Sequence, residues 1–194
     1  SKIFNWRLTN LGISSSMLLR SHGLGYPVPN NINYLWNLGF MLFGSIVIQL
    51  LSGILLTAYY NNTETFAFGS IYSLIMENNL GFLLRYTHSN FASIVMFILY
   101  CHIVKSWFVR SGLSLSDMYL SGFVIFVILM GTCFLGYVLT WGQLSYWGAT
   151  VITSMLSCVP SLFEGVMGNF YVSGVVLSRF LCFHYLLAYI SIVI

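Results

Sequence analysis

The few charges of this 194-residue chain divide it into long uncharged stretches, and that spacing constrains the fold more than any other feature. Lys and Arg fall at 2, 7, 20, 85, 105, 110 and 179 and acids at 64, 77, 117 and 164, leaving 21–63, 86–104, 118–163 and 180–194 without formal charge. A membrane-spanning helix takes about 20 mainly apolar residues, and three of these four runs could supply one. Charged residues make up 6% of the chain and hydrophobic ones 58%, against about 25% charged in ordinary soluble domains. The natural solvent of such a chain is lipid. Its net charge of +3, spread over span flanks, carries no nucleic-acid signature.

The hydropathy pattern predicts an all-α membrane protein, a four-helix transmembrane bundle with an interfacial amphipathic helix between the third and fourth spans. Residues 1–33 form an N-terminal segment ending in the proline-broken Gly25-Tyr-Pro-Val-Pro-Asn30, and a first span follows at 34–60 with aromatics at both ends. Residues 61–77 read as a polar connector, 83–108 as the second span and 119–139 as the third. Within 141–156, Leu144, Trp147, Gly148, Val151, Ile152 and Met155 recur at helical spacing while Gln143, Ser145, Thr150 and Ser154 take the other faces. That pattern predicts a helix lying in the membrane interface. Residues 160–174 read as irregular, and the fourth span, 177–194, is expected to be incomplete within this chain.

No compact apolar run ending in small residues follows Lys2 and Arg7, so no cleaved signal peptide is expected. The N-terminal segment and the turn after the second span carry five of the seven basic residues, which predicts that both face the matrix or cytoplasm. Cys101, Cys133, Cys158 and Cys182 form no Cys-x-x-Cys pair and read as small buried hydrophobes, which argues against a thiolate metal site and against covalently attached haem.

The histidines point to chemistry. His88 and His102 lie 14 residues apart in one span, which places them on nearly the same helix face about 21 Å apart. A lone intramembrane histidine is as readily explained by a hydrogen bond within the bundle. Gly39 and Gly53 in the first span and Gly122 and Gly136 in the third repeat the interval of 14. With alternating span directions, Gly53, His88 and Gly136 share one depth and Gly39, His102 and Gly122 another. Each layer then offers one axial nitrogen and two bare stretches of backbone, the surroundings a flat macrocycle needs. Small-residue helix packing explains one glycine pair, and three matched intervals less well. His184 lies at the depth where the His88 layer would need a second ligand, and a pair of imidazoles is the state expected of a b-type electron carrier. The same interval would put a partner for His102 near position 198. His22 lies outside every span and has no assigned role.

Five motifs then match a known family. Tyr34-Leu-Trp-Asn-Leu-Gly39, Leu84-Arg-Tyr-Thr-His-Ser-Asn90, Gly136-Tyr-Val-Leu-Thr-Trp-Gly-Gln143, Ser145-Tyr-Trp-Gly-Ala-Thr-Val-Ile-Thr153 and Arg179-Phe-Leu-Cys-Phe-His184 resemble, in order and spacing, the signatures of mitochondrial and bacterial cytochrome b, the haem-bearing subunit of the cytochrome bc complex (complex III). The resemblance runs from about Gly25 onward and corresponds to the family's N-terminal half.

It implies a dihaem subunit of ubiquinol–cytochrome c reductase, with two haem b groups, and ubiquinol and ubiquinone as substrates. Quinol would be oxidised on the outer side and electrons carried across the membrane to quinone, coupled to proton translocation. His88 and His184 would ligate the outer, low-potential haem and His102 the inner, high-potential one, with the glycines at 39, 53, 122 and 136 beside the rings. Arg85 would pair with an outer-haem propionate; Lys105, Ser111 and Tyr119 would lie at the propionate end of the inner haem, though snorkelling to the interface also accounts for such cations. Met130, Phe134, Tyr137, Val138, Gly148 and Ile152 would line the quinol-oxidising pocket, where plain bundle packing explains the same apolar residues, and Asn37 would neighbour the inner quinone site. The implied partners are a Rieske iron–sulfur protein, a cytochrome c1-type subunit, other complex III subunits, the lipid bilayer and a second copy of the complex. The implied location is the mitochondrial inner membrane, with the bacterial plasma membrane as the alternative.

Departures from the family pattern are Thr140 and Ala188 where proline is common, and the lack of the Pro-Glu-Trp-Tyr segment and of the later helices. A dihaem membrane anchor of another quinone oxidoreductase would also need paired intramembrane histidines, but not the glycine intervals together with the Trp-Gly-Gln helix. A transporter or channel would line its path with intramembrane charges, which are nearly absent here.

Overall fold

In a bilayer every backbone polar group must be satisfied within the segment, and only helices or closed barrels manage this. The computed structural model describes residues 32–109, 116–168 and 171–194 with the single positions Met17 and Asn30, and among them there is no strand. Two compact units divide at Trp36/Asn37. In the first, the Asn33 side chain accepts from Leu35 N at 2.9 Å and the Asn33 carbonyl from Trp36 N at 3.0 Å, which closes the turn entering the helical region.

The second unit holds seven α-helices among its described residues: α1 (Leu38–Thr57), α2 (Ala67–Glu77), α3 (Gly81–Phe108), α4 (Ser116–Val138), α5 (Gln143–Met155), α6 (Pro160–Met167) and α7 (Gly174–Val193). Four segments, Tyr34–Thr57, Gly81–Phe108, Asp117–Val138 and Gly174–Val193, are long and apolar enough to cross a membrane. They associate as two pairs, α1 with α3 and α4 with α7. A cluster of Leu135, Val138, Ala149, Met167, Val176, Leu177 and Phe180 packs α4, α5, α6 and α7 together at one end of the second pair. Most other apolar side chains face outward, as lipid-facing residues do, because lipid tails solvate them as well as protein does.

Two segments differ from their sequence reading. The connector at 61–77 contains α2, whose Ala67 and Leu74 are buried, and the segment at 160–174 contains α6. Both helices are short and take their stability from packing, which composition does not display. Pro160 at the first turn of α6 and left-handed Gly168 (φ 59°) at its end are ordinary start and stop signals. A Cβ on Gly168 would lie 2.7 Å from the Arg179 guanidinium, which donates to the Gly165 carbonyl at 2.6 Å and so caps α6. At Gly81 a Cβ would collide with the Leu74 carbonyl, so only glycine allows α2 to turn this tightly into α3.

The cysteine reading also changes. Cys158 and Cys182 are exposed, and Cys101 and Cys133 half-buried. In a lipid-facing chain an apolar residue need not be an interior one. For the same reason α5 turns Leu144, Trp147, Val151 and Met155 outward and packs inward through Ser145, Ala149 and Thr153, a small-residue face that permits close approach. The corner before it is held by hydroxyls. Thr140 Oγ1 and Ser145 Oγ lie 2.6 Å apart, one donating to the other, and each lies 2.9 Å from the Tyr137 carbonyl, which accepts the remaining hydroxyl proton, around Trp141 in a left-handed conformation (φ 51°).

Candidate functional site

Between the two helix pairs lies a cleft of about 370 Å³, within the usual range for small-molecule and cofactor sites. It is lined by Gly53 of α1, Arg85 and His88 of α3, Gly136 and Tyr137 of α4 and His184 of α7. Among the described residues, Arg85 is the only formally charged one in that lining.

His88 and His184 face each other with ring centres 6.4 Å apart and planes at 73°. Two imidazoles bound on opposite sides of one metal ion through ring nitrogens at about 2.0 Å would have ring centres about 6.3 Å apart, so the spacing would fit a shared ion held in that way. The hydrogen bonds fix which nitrogen would face it. His184 Nδ1 lies 2.9 Å from the Thr132 carbonyl, which can only accept, so Nδ1 carries the proton and Nε2 keeps its lone pair. His88 Nδ1 lies 2.9 Å from Ser52 Oγ, whose own proton goes to the Ile48 carbonyl at 2.7 Å. Ser52 therefore accepts, and His88 too leaves Nε2 open.

Glycine makes this packing possible. A Cβ on Gly136 would come within 2.7 Å of His184 Cε1, and one on Gly53 within 3.1 Å of His88 Cε1. Sequence reasoning matched these glycines to the histidines by depth; the contact itself runs from each glycine to the imidazole of its paired helix. Among the described residues no three His, Cys, Asp or Glu side chains gather to hold a metal. An ion held by two imidazoles alone would need its other ligands from a non-protein group, and a porphyrin supplies four in a plane.

The second level is built around His102. A Cβ on Gly39 would lie 3.5 Å from His102 Cε1, while one on Gly122 would meet nothing within 4 Å. The His102 Nδ1 is buried and has no hydrogen-bond partner among the described residues. Lys105 occupies the last turn of α3 and is half-buried, and the Tyr119 hydroxyl accepts from Trp107 Nε1 at 2.7 Å. Ser111 lies outside the described residues. Asn37 is exposed at the start of α1.

The six residues expected around a quinol do not converge on the cleft. Only Tyr137 lines it; Val138 is fully buried in the core, and Phe134 packs against Phe180 with ring centres 6.3 Å apart. Met130 and Ile152 are exposed, and the space beside Gly148 is open. Thr132 and Cys133 at the cleft, and Ser52 behind the His88 ring, were missed by sequence reasoning; Ser52, beside Gly53 on an apolar helix, was the one detectable signal.

The family model Cytochrome b/b6/petB matches residues 24–194. The chain belongs to this family. Cytochrome b of Plasmodium berghei is 40% identical over 189 residues, which cover 95% of this chain and 49% of that protein. Cytochrome b of Dictyostelium citrinum is 43% identical over 175 residues, covering 88% and 45% respectively. The chain thus spans about half the length of the curated relatives it matches. A solved hyperthermophilic respiratory complex III contains a chain of the same fold, with a TM-score of 0.81 and 25% identity over 97% of this chain and 52% of that one. Membership in the cytochrome b family implies haem b, and the paired imidazoles, the glycine-cleared walls and the single cation fit such a group.

Proposed function

We propose that this chain is the N-terminal half of the cytochrome b subunit of a quinol–cytochrome c reductase, holding two haem b groups stacked across an energy-transducing membrane. His88 and His184 would hold one, and His102 would hold the other, whose second ligand would lie outside residues 1–194. The carrying observation is the 6.4 Å approach of the His88 and His184 rings with both Nδ1 atoms engaged. Haem iron with two imidazoles exchanges single electrons and keeps no position open for oxygen.

The chain's own residues prepare that site. Ser52 and the Thr132 carbonyl orient the imidazoles, Gly53 and Gly136 admit them, and Arg85 supplies the charge that a propionate would neutralise. Lys105, Ser111 and Tyr119 are assigned to the propionate end of the second haem. Met130, Phe134, Tyr137, Val138, Gly148 and Ile152 are assigned to the wall where quinol binds, and Asn37 to the vicinity of quinone on the opposite side. The basic residues near the N-terminus and after α3 put the His102 level toward the matrix or cytoplasm. The proposed partners are a Rieske iron–sulfur protein, a cytochrome c1-type subunit and a second copy of the complex, in the mitochondrial inner membrane or a bacterial plasma membrane.

Reduced-minus-oxidised spectra of the assembled complex test the assignment. His184→Leu should remove the haem signal of the His88 level and leave that of the His102 level in place. Loss confined to the His102 level would overturn it.

A further inference from the structure

His88 and His184 are anchored by different chemistry. His184 donates to a backbone carbonyl, Thr132 O at 2.9 Å, which no substitution at Thr132 removes. His88 donates to a side chain, Ser52 Oγ at 2.9 Å, with the Gln49 backbone as a second acceptor, so a single substitution at Ser52 deletes the side-chain bond and leaves the backbone one. Ser52 is buried (6% exposed) and cannot turn away to water. Its hydroxyl proton is committed within α1, to Ile48 O at 2.7 Å and more weakly to Gln49 O at 3.1 Å, so the oxygen lone pairs face His88.

Resting on the axial role proposed for His88, we infer that Ser52 is a positioning residue that fixes the tautomer and ring orientation of His88 and raises the electron density on its Nε2. A hydrogen-bond acceptor on the far nitrogen makes an imidazole a stronger donor to a metal. A stronger donor favours the oxidised metal, so Ser52 lowers the midpoint potential of the His88 level relative to the same site without the bond. Ser45 is the internal control. It is equally buried in α1 at 7% exposure, and among the described residues its hydroxyl bonds the Met41 carbonyl at 2.8 Å and no histidine.

The experiment uses the assembled complex in its native membrane, with redox titration and low-temperature EPR of each haem. Ser52→Ala and Ser52→Val should shift the potential of the His88-level haem upward and alter its EPR signature at unchanged haem content. Ser52→Thr, which restores a hydroxyl in the shape of valine, should return both to wild type, as should Ser45→Ala. The His102-level haem should not move in any of them. If the alanine variant does not assemble, the isosteric valine and threonine pair carries the comparison. Wild-type potentials in Ser52→Val, or an equal shift in Ser52→Val and Ser52→Thr, would overturn the inference. Retention of the His88-level haem in His88→Leu would instead overturn the ligand assignment beneath it.

Discussion

At one level of the bundle two imidazoles from different helix pairs face each other, each held through Nδ1 at 2.9 Å. At the other, about 21 Å further along α3, His102 rests against Gly39 with its Nδ1 buried and no hydrogen-bond partner among the described residues. At the first level α1 and α4 each provide both a glycine clearance and an acceptor. At the second, among the described residues, Gly39 of α1 provides the clearance for His102. The pairs are tied together near both ends: Tyr60 donates to the Leu139 carbonyl at 2.7 Å near the first level, and Trp107 donates to Tyr119 at 2.7 Å near the second. The difference therefore lies in how the imidazoles are held rather than in whether the pairs are joined.

The strongest way to break this comparison is at Gly136. Gly136→Val should abolish the His88-level haem spectrum in assembled complex, since even a Cβ meets the His184 ring at 2.7 Å. Gly131→Val, where a Cβ meets only the flexible tip of Leu187 at 3.6 Å, should keep most of it. Equal haem retention in the two would mean that the glycine serves helix packing alone.

The next test compares the levels on α1. Gly53→Ala pushes against His88 at 3.1 Å and should destabilise the folded subunit by about 1–3 kcal/mol. Gly39→Ala makes an ordinary contact at 3.5 Å and should stay within about 0.5 kcal/mol of wild type in thermal unfolding. Similar melting shifts would erase the distinction between the levels.

A smaller effect is expected from charge. Arg85 is the lone formal charge among the described residues of the cleft lining, so Arg85→Gln should lower the midpoint potential of the His88-level haem by removing a cation that favours the reduced form, and leave the other level unmoved. Parallel shifts at both levels would place Arg85's influence elsewhere.

The smallest effect concerns Tyr60. Loss of its bond to Leu139 in Tyr60→Phe should cost about 1 kcal/mol. Burial, with Tyr185 a lesser cause, pushes the Tyr60 phenol well above its ordinary value of 10.0. A group raised on folding contributes its stability in full below the unfolded value and loses it as pH rises toward the folded one. The wild-type advantage over Tyr60→Phe should therefore hold below pH 10.0 and shrink above it, as read by denaturation at several pH values.

How much was legible follows from the range of each signal. Charge spacing marked the four long helices, and the stripe from Leu144 to Met155 marked α5, because apolar length and helical periodicity are local properties repeated over many residues. α2 and α6 were missed because eight to eleven residues repeat too little to stand out from a connector. The shared interval of 14 between glycines and histidines exposed two levels in the sequence, since helix geometry converts an interval directly into depth and face.

Depth, however, does not say which groups touch. The approach of His184 to a carbonyl 52 residues away, the engagement of His88 by Ser52 and the outward turn of α5's apolar stripe all depend on how each helix is rotated against its neighbour. Rotation is set by small-residue contacts and hydrogen bonds between helices, because in lipid hydrophobicity does not dictate which face turns inward. The sequence by itself determined the spans, their order and the heights of the histidines. The tertiary structure alone decided that two of those histidines meet with their far nitrogens tied and their near ones open.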